Sequence, residues 1–301
     1  FKSEQNAYKK YEDFLVSSSA HSLEGLTIVL DGANGAACRI APAVFRKLGA
    51  SVVASNCSDD GMKINENCGA LYPQTLARRM KRYKADVGFA FDGDSDRLMA
   101  VSADGRVIDG DMILYMLAKH FKAKGKLNLD TVVGTSHTNM AIEHALNRVG
   151  INFLRTDIGD KYVLAKLVEK GLSLGGEQSG HVILLDYNTT GDGLVTAVQV
   201  ISAMVNAKQP LSRLAAVMQM MPQSLYAANV PDSKKYDYAK NEKIAAKIAE
   251  LEARYKDRGR LVIRASGTEP RVRVMIEGPD QREIDHDVYV LSKLIEQEMN
   301  R

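Results

Sequence analysis

The chain has 301 residues, of which 45% are hydrophobic and 26% charged, with 40 basic against 37 acidic side chains. This is ordinary globular composition, enough for about two domains with buried cores. The formal net charge of +3 is spread along the chain and carries no nucleic-acid or membrane footprint, and no apolar run approaches the ~18 residues of a membrane span.

The first residues, FKSEQNAYKKYEDFL, are charged and helix-like, with no signal-peptide core. Next, LTIVLD (26–31) reads as a strand, APAVFRKLGA as a helix, SVVAS (51–55) as a strand, TLARRMKRYK as a helix and DVGFAF (86–91) as a strand. The βαβαβ rhythm resumes with TVVGT (131–135), a helix through MAIEHALNRVG, INFLRT (151–156), a helix through KYVLAKLVEKG and a GGEQSG turn before HVILLD. A parallel sheet with covering helices is therefore predicted twice, over 24–124 and 125–229. From about residue 230 the texture changes to a charged helix (NEKIAAKIAELEARYK), two strands (LVIRAS and RVRVMIEG) around a turn, and a final helix. The predicted class is α/β: two consecutive three-layer α/β segments, then a small α+β unit over 230–301, with VPDSKKYDY as the best linker.

Cytoplasmic is the default location. Cys38, Cys57 and Cys68 are odd in number and lack paired metal-ligand spacing. This argues for a reducing compartment and against a disulfide scaffold, and the thiols read as core or incidental.

Residues 91–97, FDGDSDR, place three aspartates at alternate positions before an arginine. Three ionised carboxylates so close repel unless water screens them or a cation neutralises them. In an extended segment Asp92, Asp94 and Asp96 point the same way and can converge on one ion, Gly93 and Ser95 leave room for the chain to curl, and oxygen-only ligands suggest a hard ion. An EF-hand would need glycine at the sixth position and glutamate at the twelfth; these are Arg97 and Ala103, so Mg2+ is favoured over Ca2+. A solvated acidic turn remains the competing reading. The loop follows a predicted parallel strand, where open α/β sheets place ligands.

GGEQSGH (175–181) sets Glu177, Ser179 and His181 among glycines, a set suited to hydrogen-bonding sugar hydroxyls or an amine; taken alone, a β-turn with a structural histidine is slightly favoured over it. In LVIRASGTEPRVRV, Arg264, Arg271 and Arg273 can pair with phosphate oxygens while Ser266, Gly267 and Thr268 turn N–H groups and hydroxyls toward an anion. Solvated arginines on an exposed hairpin are the alternative. DGANGAA (31–37) lacks both glycine-rich nucleotide fingerprints and reads as a tight strand-to-helix turn. Met218, Met220 and Met221 read as core filling.

In this order, FDGDSDR, GEQSGH and RASGTEPRVRVMIEG resemble the magnesium, sugar-recognition and phosphate-binding loops of the α-D-phosphohexomutases. DGANGAACRIAPAVFRKLGA, NCGALYP, the DGD at 109–111, GDKYVL and NTTGDGLVTAVQV extend the resemblance over essentially the whole chain and toward its amino-sugar branch. The resemblance implies interconversion of glucosamine 6-phosphate and glucosamine 1-phosphate, for UDP-N-acetylglucosamine and cell-wall precursor synthesis, through a phosphoserine and a bisphosphorylated sugar intermediate. It implies Mg2+ on Asp92, Asp94 and Asp96, with Arg97 assisting catalysis at the transferring group. Sugar contacts fall to Glu177, Ser179 and His181, and a phosphate clamp to Arg264, Ser266, Gly267, Thr268 and Arg273. A homodimer is compatible with it.

Two departures qualify the resemblance. The family's serine loop precedes the DGANGA strand, where this chain has only about twenty-five residues, so 1–23 is expected to be the remnant of a first domain with its connecting helix, without the catalytic serine. Ser136 and His137 in GTSHTN follow the aspartate loop and are set aside as a decoy. Lys161 stands where the family commonly has arginine, which removes a bidentate contact. A glucose- or mannose-phosphate mutase, or a non-catalytic sugar-phosphate-binding module, are the alternative functions.

Overall fold

A computed structural model describes residues 6–216, 220–267 and 269–301. Helix α1 (Ala7–Ser17) leads into β1 (Thr27–Asp31), α2 (Ala37–Lys47), β2 (Ser51–Ser55), α3 (Pro73–Tyr83), β3 (Val87–Phe91), β4 (Leu98–Ser102) and β5 (Val107–Ile108). Pro73 opens α3 at a position whose N–H has no intrahelical partner, so its missing donor costs nothing. The sheet order is β2-β1-β3-β4-β5. Alternation divides its side chains. Val29, Ala90 and Val101 pack with Leu76 and Met80 of α3, while Phe89 on the opposite face stacks on Phe45 of α2 at 5.6 Å.

The next elements are α4 (Gly110–Ala123), β6 (Thr131–Thr135), α5 (Met140–Arg148), β7 (Asn152–Thr156), α6 (Asp160–Lys170), β8 (Leu174–Gly176), β9 (Val182–Leu184), α7 (Gly193–Ala207) and the short α8 (Leu211–Leu214). The second sheet runs β7-β6-β8-β9, with Val133 and Ile183 packed against Val163 and Leu167 of α6.

Neither sheet is wholly parallel, contrary to the sequence expectation. β1 pairs in parallel with β2 and β3, and β6 with β7 and β8, but β4 is antiparallel to β3 and β9 to β8. The reason is connection length. Asp92–Arg97 and Glu177–His181 are far too short for a crossover helix, so each chain reverses as a hairpin. Both loops singled out for chemistry are these hairpin turns.

The chain divides into two compact units, one of residues 1–138 and 142–218, the other of 139–141 and 219–301. The first holds both sheets described above. The second contains β10 (Gln223–Asn229), α9 (Glu242–Tyr255), β11 (Arg260–Ala265), β12 (Arg271–Glu277) and α10 (Gln281–Met299), with sheet order β10-β12-β11, antiparallel throughout. Its core joins Val272, Val274 and Ile276 to Ile244 and Leu251 of α9 and Ile284, Val288 and Leu291 of α10. Buried Asp287 accepts from Tyr255 Oη at 2.8 Å and from Arg254 Nη1 with both oxygens, which satisfies the charge inside the core. β10 precedes the stretch expected to be linker; of that stretch Val230 is buried in this core, and residues 232–234 form a short 3-10 turn. Met220 and Met221 are half-buried, while Met218 lies outside the described residues.

Candidate active site

The aspartate loop begins where β3 ends. Ser95 adopts a left-handed conformation (φ 66°) and donates its N–H to Asp92 O at 3.1 Å, curling the chain so that carboxylate oxygens of Asp92, Asp94 and Asp96 lie within 4.8 Å of one another. The sequence expectation was convergence from alternate positions, with Gly93 and Ser95 leaving room for the chain to curl; the curl at Ser95 brings the carboxylates together. Asp92 is buried, Asp96 half-buried and Asp94 exposed. Burial, with the charges of Asp96 and Asp94 beside it, pushes the Asp92 carboxyl up to about 6. The Arg97 N–H donates to Asp92 Oδ1 at 3.1 Å, and its guanidinium Nε stands 3.7 Å from Asp92 and 3.8 Å from Asp96. Ser95 Oγ is buried without a hydrogen-bond partner among the described residues. An all-oxygen donor set, mutually repelling carboxylates and an orphaned hydroxyl fit a hard divalent cation.

Neighbouring turns hold this loop from behind. Ala36 N–H in the DGANGA turn donates to Gly93 O at 2.9 Å, and a Cβ on Gly35 would overlap the Gly93 carbonyl. Gly193, at the start of α7, donates to Ser95 O at 2.9 Å, and a Cβ there would sit 2.6 Å from Arg97 O. Asp192 caps α7 through the N–H groups of Leu194 and Val195 at 3.0 Å. DGANGAA is thus more than a turn between elements. It props the acidic loop.

The two hairpin turns join. Leu98 N–H donates to Gly180 O at 3.0 Å, Arg97 and His181 form a backbone bridge, and His181 Nδ1 lies 3.1 Å from Asp96 Oδ2. With a carboxylate as acceptor, Nδ1 carries the proton; Nε2 is buried without a partner among the described residues. Glu177 Oε1 accepts from Gly159 N–H at 2.9 Å, and Gly110 N–H donates to Gln178 O at 3.1 Å, so the DGD segment forms the floor of the GEQSG turn. Asp109, raised by burial, caps α4 through Met112 N–H at 3.1 Å.

Between the hairpins opens a cleft of about 500 Å³ lined by Arg97, Asp109, Thr135, His137, Glu177 and Ser179, among others. Sequence reasoning missed Asp109, Thr135 and His137 as cleft residues. The sole signal for Asp109 is its place in the DGD motif, and His137, set aside as a decoy, lines the wall with Glu177. Lys161 places its ammonium 4.8 Å from the Tyr162 ring centroid.

In the second unit, Arg264 and Arg273 face each other across the β11–β12 ladder. Like charges directly opposite repel, and Glu269 relieves this in part by accepting from Arg273 Nη2 at 2.8 Å. Arg271 Nε donates to Asn229 Oδ1 at 3.1 Å. Ser266 is buried and its N–H donates to Arg271 O at 2.8 Å; Gly267 is exposed, and Thr268 lies outside the described residues. Glu269 was overlooked, although its i,i+4 spacing to Arg273 is readable in the sequence.

Residues 7–105 match phosphoglucomutase/phosphomannomutase alpha/beta/alpha domain II, residues 109–221 match alpha/beta/alpha domain III, and residues 225–286 match the C-terminal domain of the same family. The chain belongs to this phosphohexomutase family.

Among its curated members, phosphoglucosamine mutases of Clostridium kluyveri and Clostridium beijerinckii are 45% identical over 294 residues and 46% over 297. These alignments cover 98% and 99% of this chain and 66% of each relative, so the chain spans just under two thirds of their length. Among solved structures, N-acetylphosphoglucosamine mutase of Aspergillus fumigatus, in complex with GlcNAc-6P and magnesium, shares the fold. Its TM-score is 0.80 at 20% identity, covering 100% of this chain and 67% of that one. A phosphoglucomutase/phosphomannomutase family protein of Burkholderia thailandensis gives 0.79 at 23%, covering 97% and 65%. The two α/β family domains share the first unit, and the α+β family domain falls in the second.

Proposed function

We propose that this chain supplies the sugar- and phosphate-binding body of a phosphoglucosamine mutase, interconverting glucosamine 6-phosphate and glucosamine 1-phosphate. The observation that carries this reading is the joining of the aspartate and GEQSG hairpins around one cleft, in a chain 45% identical to a phosphoglucosamine mutase over 98% of its length. Asp92, Asp94 and Asp96 would hold Mg2+, which when bound neutralises charge on phosphoryl oxygens. Arg97, anchored between two of those carboxylates, would meet the transferring group. Glu177, Ser179 and His181 would bind the sugar, with Glu177 aimed by Gly159 N–H and His181 by Asp96. Arg264, Ser266, Gly267, Thr268 and Arg273 would bind a phosphate, which offsets the facing of two arginines and replaces Glu269 on Arg273.

Calorimetry tests this. Glucosamine 6-phosphate with Mg2+ is expected to bind more tightly than glucose or mannose 6-phosphate; equal affinities would favour a sister mutase. Asp94→Asn is expected to weaken Mg2+ binding and Arg273→Ala to weaken phosphosugar binding, each by about tenfold or more. Unchanged affinities in both variants would remove the site assignment.

A further inference from the structure

The three cysteines, distant in sequence, gather around the exit of β1. Cys38 stands in the first turn of α2, half-buried; Cys57 follows β2 and is exposed; Cys68 is buried, with Asn34 Nδ2 3.7 Å from its sulfur. Cys38 and Cys57 converge on the same side of Gly32. A Cβ built on Gly32 would overlap Cys38 Sγ and come within 2.9 Å of Cys57 Sγ. Cys38 Sγ lies 3.4 Å from both Gly32 O and Asn56 O, and Cys57 Sγ 3.4 Å from Ser55 O. The mutual interaction of the two thiols holds Cys57 below the ordinary thiol range and, together with burial, pushes Cys38 above it. The exposed sulfur is therefore the better nucleophile and the half-buried one sits ready to resolve it.

Gly32 opens the turn that props the aspartate loop. The chain passes from Gly32 through Asn34, whose amide bridges Lys63 O at 2.9 Å and Ser58 N–H at 2.9 Å, to Ala36, whose N–H donates to Gly93 O. Movement at Gly32 reaches the backbone of Asp92–Asp96 through one short strap.

We propose that Cys38 and Cys57 form an oxidisable dithiol that closes to a disulfide under hydrogen peroxide and thereby loosens the Asp92–Asp96 loop. The Cys57 thiolate attacks one peroxide oxygen, the O–O bond breaks, and the departing hydroxide takes up the proton that Cys57 released and leaves as water. Cys38 sulfur then attacks the Cys57 sulfenic sulfur; the S–S bond forms, the S–O bond breaks, and the Cys38 proton leaves with the hydroxyl as a second water. Two thiols are oxidised by two electrons and one peroxide is reduced. Closure withdraws Cys38 from its contacts with the Gly32 and Asn56 carbonyls and draws the α2 start toward the β2 exit, which displaces the strap.

The test treats the full chain with hydrogen peroxide, alkylates the remaining thiols and maps the products. The expected product is lighter by about 2 Da, with a Cys38–Cys57 cross-linked peptide and Cys68 alkylated. Amide exchange across residues 88–98 is expected to quicken in the oxidised chain and to return to its starting rate with dithiothreitol. In Cys38→Ser, Cys57 is expected to run on to the sulfinic acid without a cross-link. Over-oxidised Cys57 beside an alkylatable Cys38 in the unsubstituted chain, or a cross-link with unchanged exchange at 88–98, would overturn the proposal. The function of the loop rests on the metal reading above, which Mg2+ calorimetry on the reduced chain tests separately: no binding there removes that reading and leaves the exchange result to decide this one.

Discussion

Asp92 shows how much of the site lies in one side chain's surroundings. Its folded carboxyl is raised from 3.8 to about 6, chiefly by burial. An acid raised on folding contributes stability that is complete below its unfolded pKa and lost as pH rises through the folded value, here between about 4 and 6. In chelator-treated protein, Asp92→Asn is therefore expected to raise thermal stability at pH 7.5, by on the order of 2 kcal/mol after allowing for partial screening, and to give no gain near pH 4. Melting curves at the two pH values check it. At the clamp, Glu269→Gln is expected to tighten binding of inorganic phosphate about threefold or more by releasing Arg273, as read by calorimetry; weaker binding would show that Glu269 positions the arginine rather than competing for it. The acidic cluster was legible because charge and spacing are written in the residues. The left-handed Ser95 that makes it converge was not, since serine rarely adopts that conformation and its neighbours impose it.

At the scale of elements, two hairpins of the same design flank the cleft: a buried parallel strand, a tight glycine-bearing turn and a short antiparallel return strand. The alternation of strand and helix was readable from apolar periodicity, and it placed FDGDSDR correctly at a strand end. LMAVS was not read as a strand, and HVILLD, though placed after the GGEQSG turn, was not read as an antiparallel return, because short apolar runs have no distinguishing period. The glycines behind the aspartate loop act by close approach. Gly35→Ala and Gly193→Ala are each expected to destabilise by about 1–3 kcal/mol and to weaken Mg2+ binding, because the carbonyls of Gly93 and Arg97 must move to admit a methyl group. Denaturant titration and Mg2+ calorimetry on each variant check it; stability lost with affinity kept would separate the scaffold from the site.

For the whole molecule, the match to three domains of one family and the 66% span of the curated relatives frame the last prediction. With glucosamine 6-phosphate, Mg2+ and a bisphosphate activator, a longer chain carrying the family's serine loop ahead of residue 1 is expected to turn over, and these 301 residues alone to bind without turnover. Turnover by these residues alone would make Ser136 the first position to substitute. No helix among the described residues is long and apolar enough to cross a membrane. The sequence by itself determined the fold class and the family, and it singled out the acidic, GEQSG and arginine-rich loops, because periodicity and side-chain chemistry are local. Only the tertiary structure decided that the first two loops are hairpins joined through Leu98 and Gly180, that His137 and Asp109 share their cleft, and that Cys38 and Cys57 meet on Gly32. Those meetings join residues far apart along the chain and are made by sheet register and glycine-permitted approach, which no local pattern encodes.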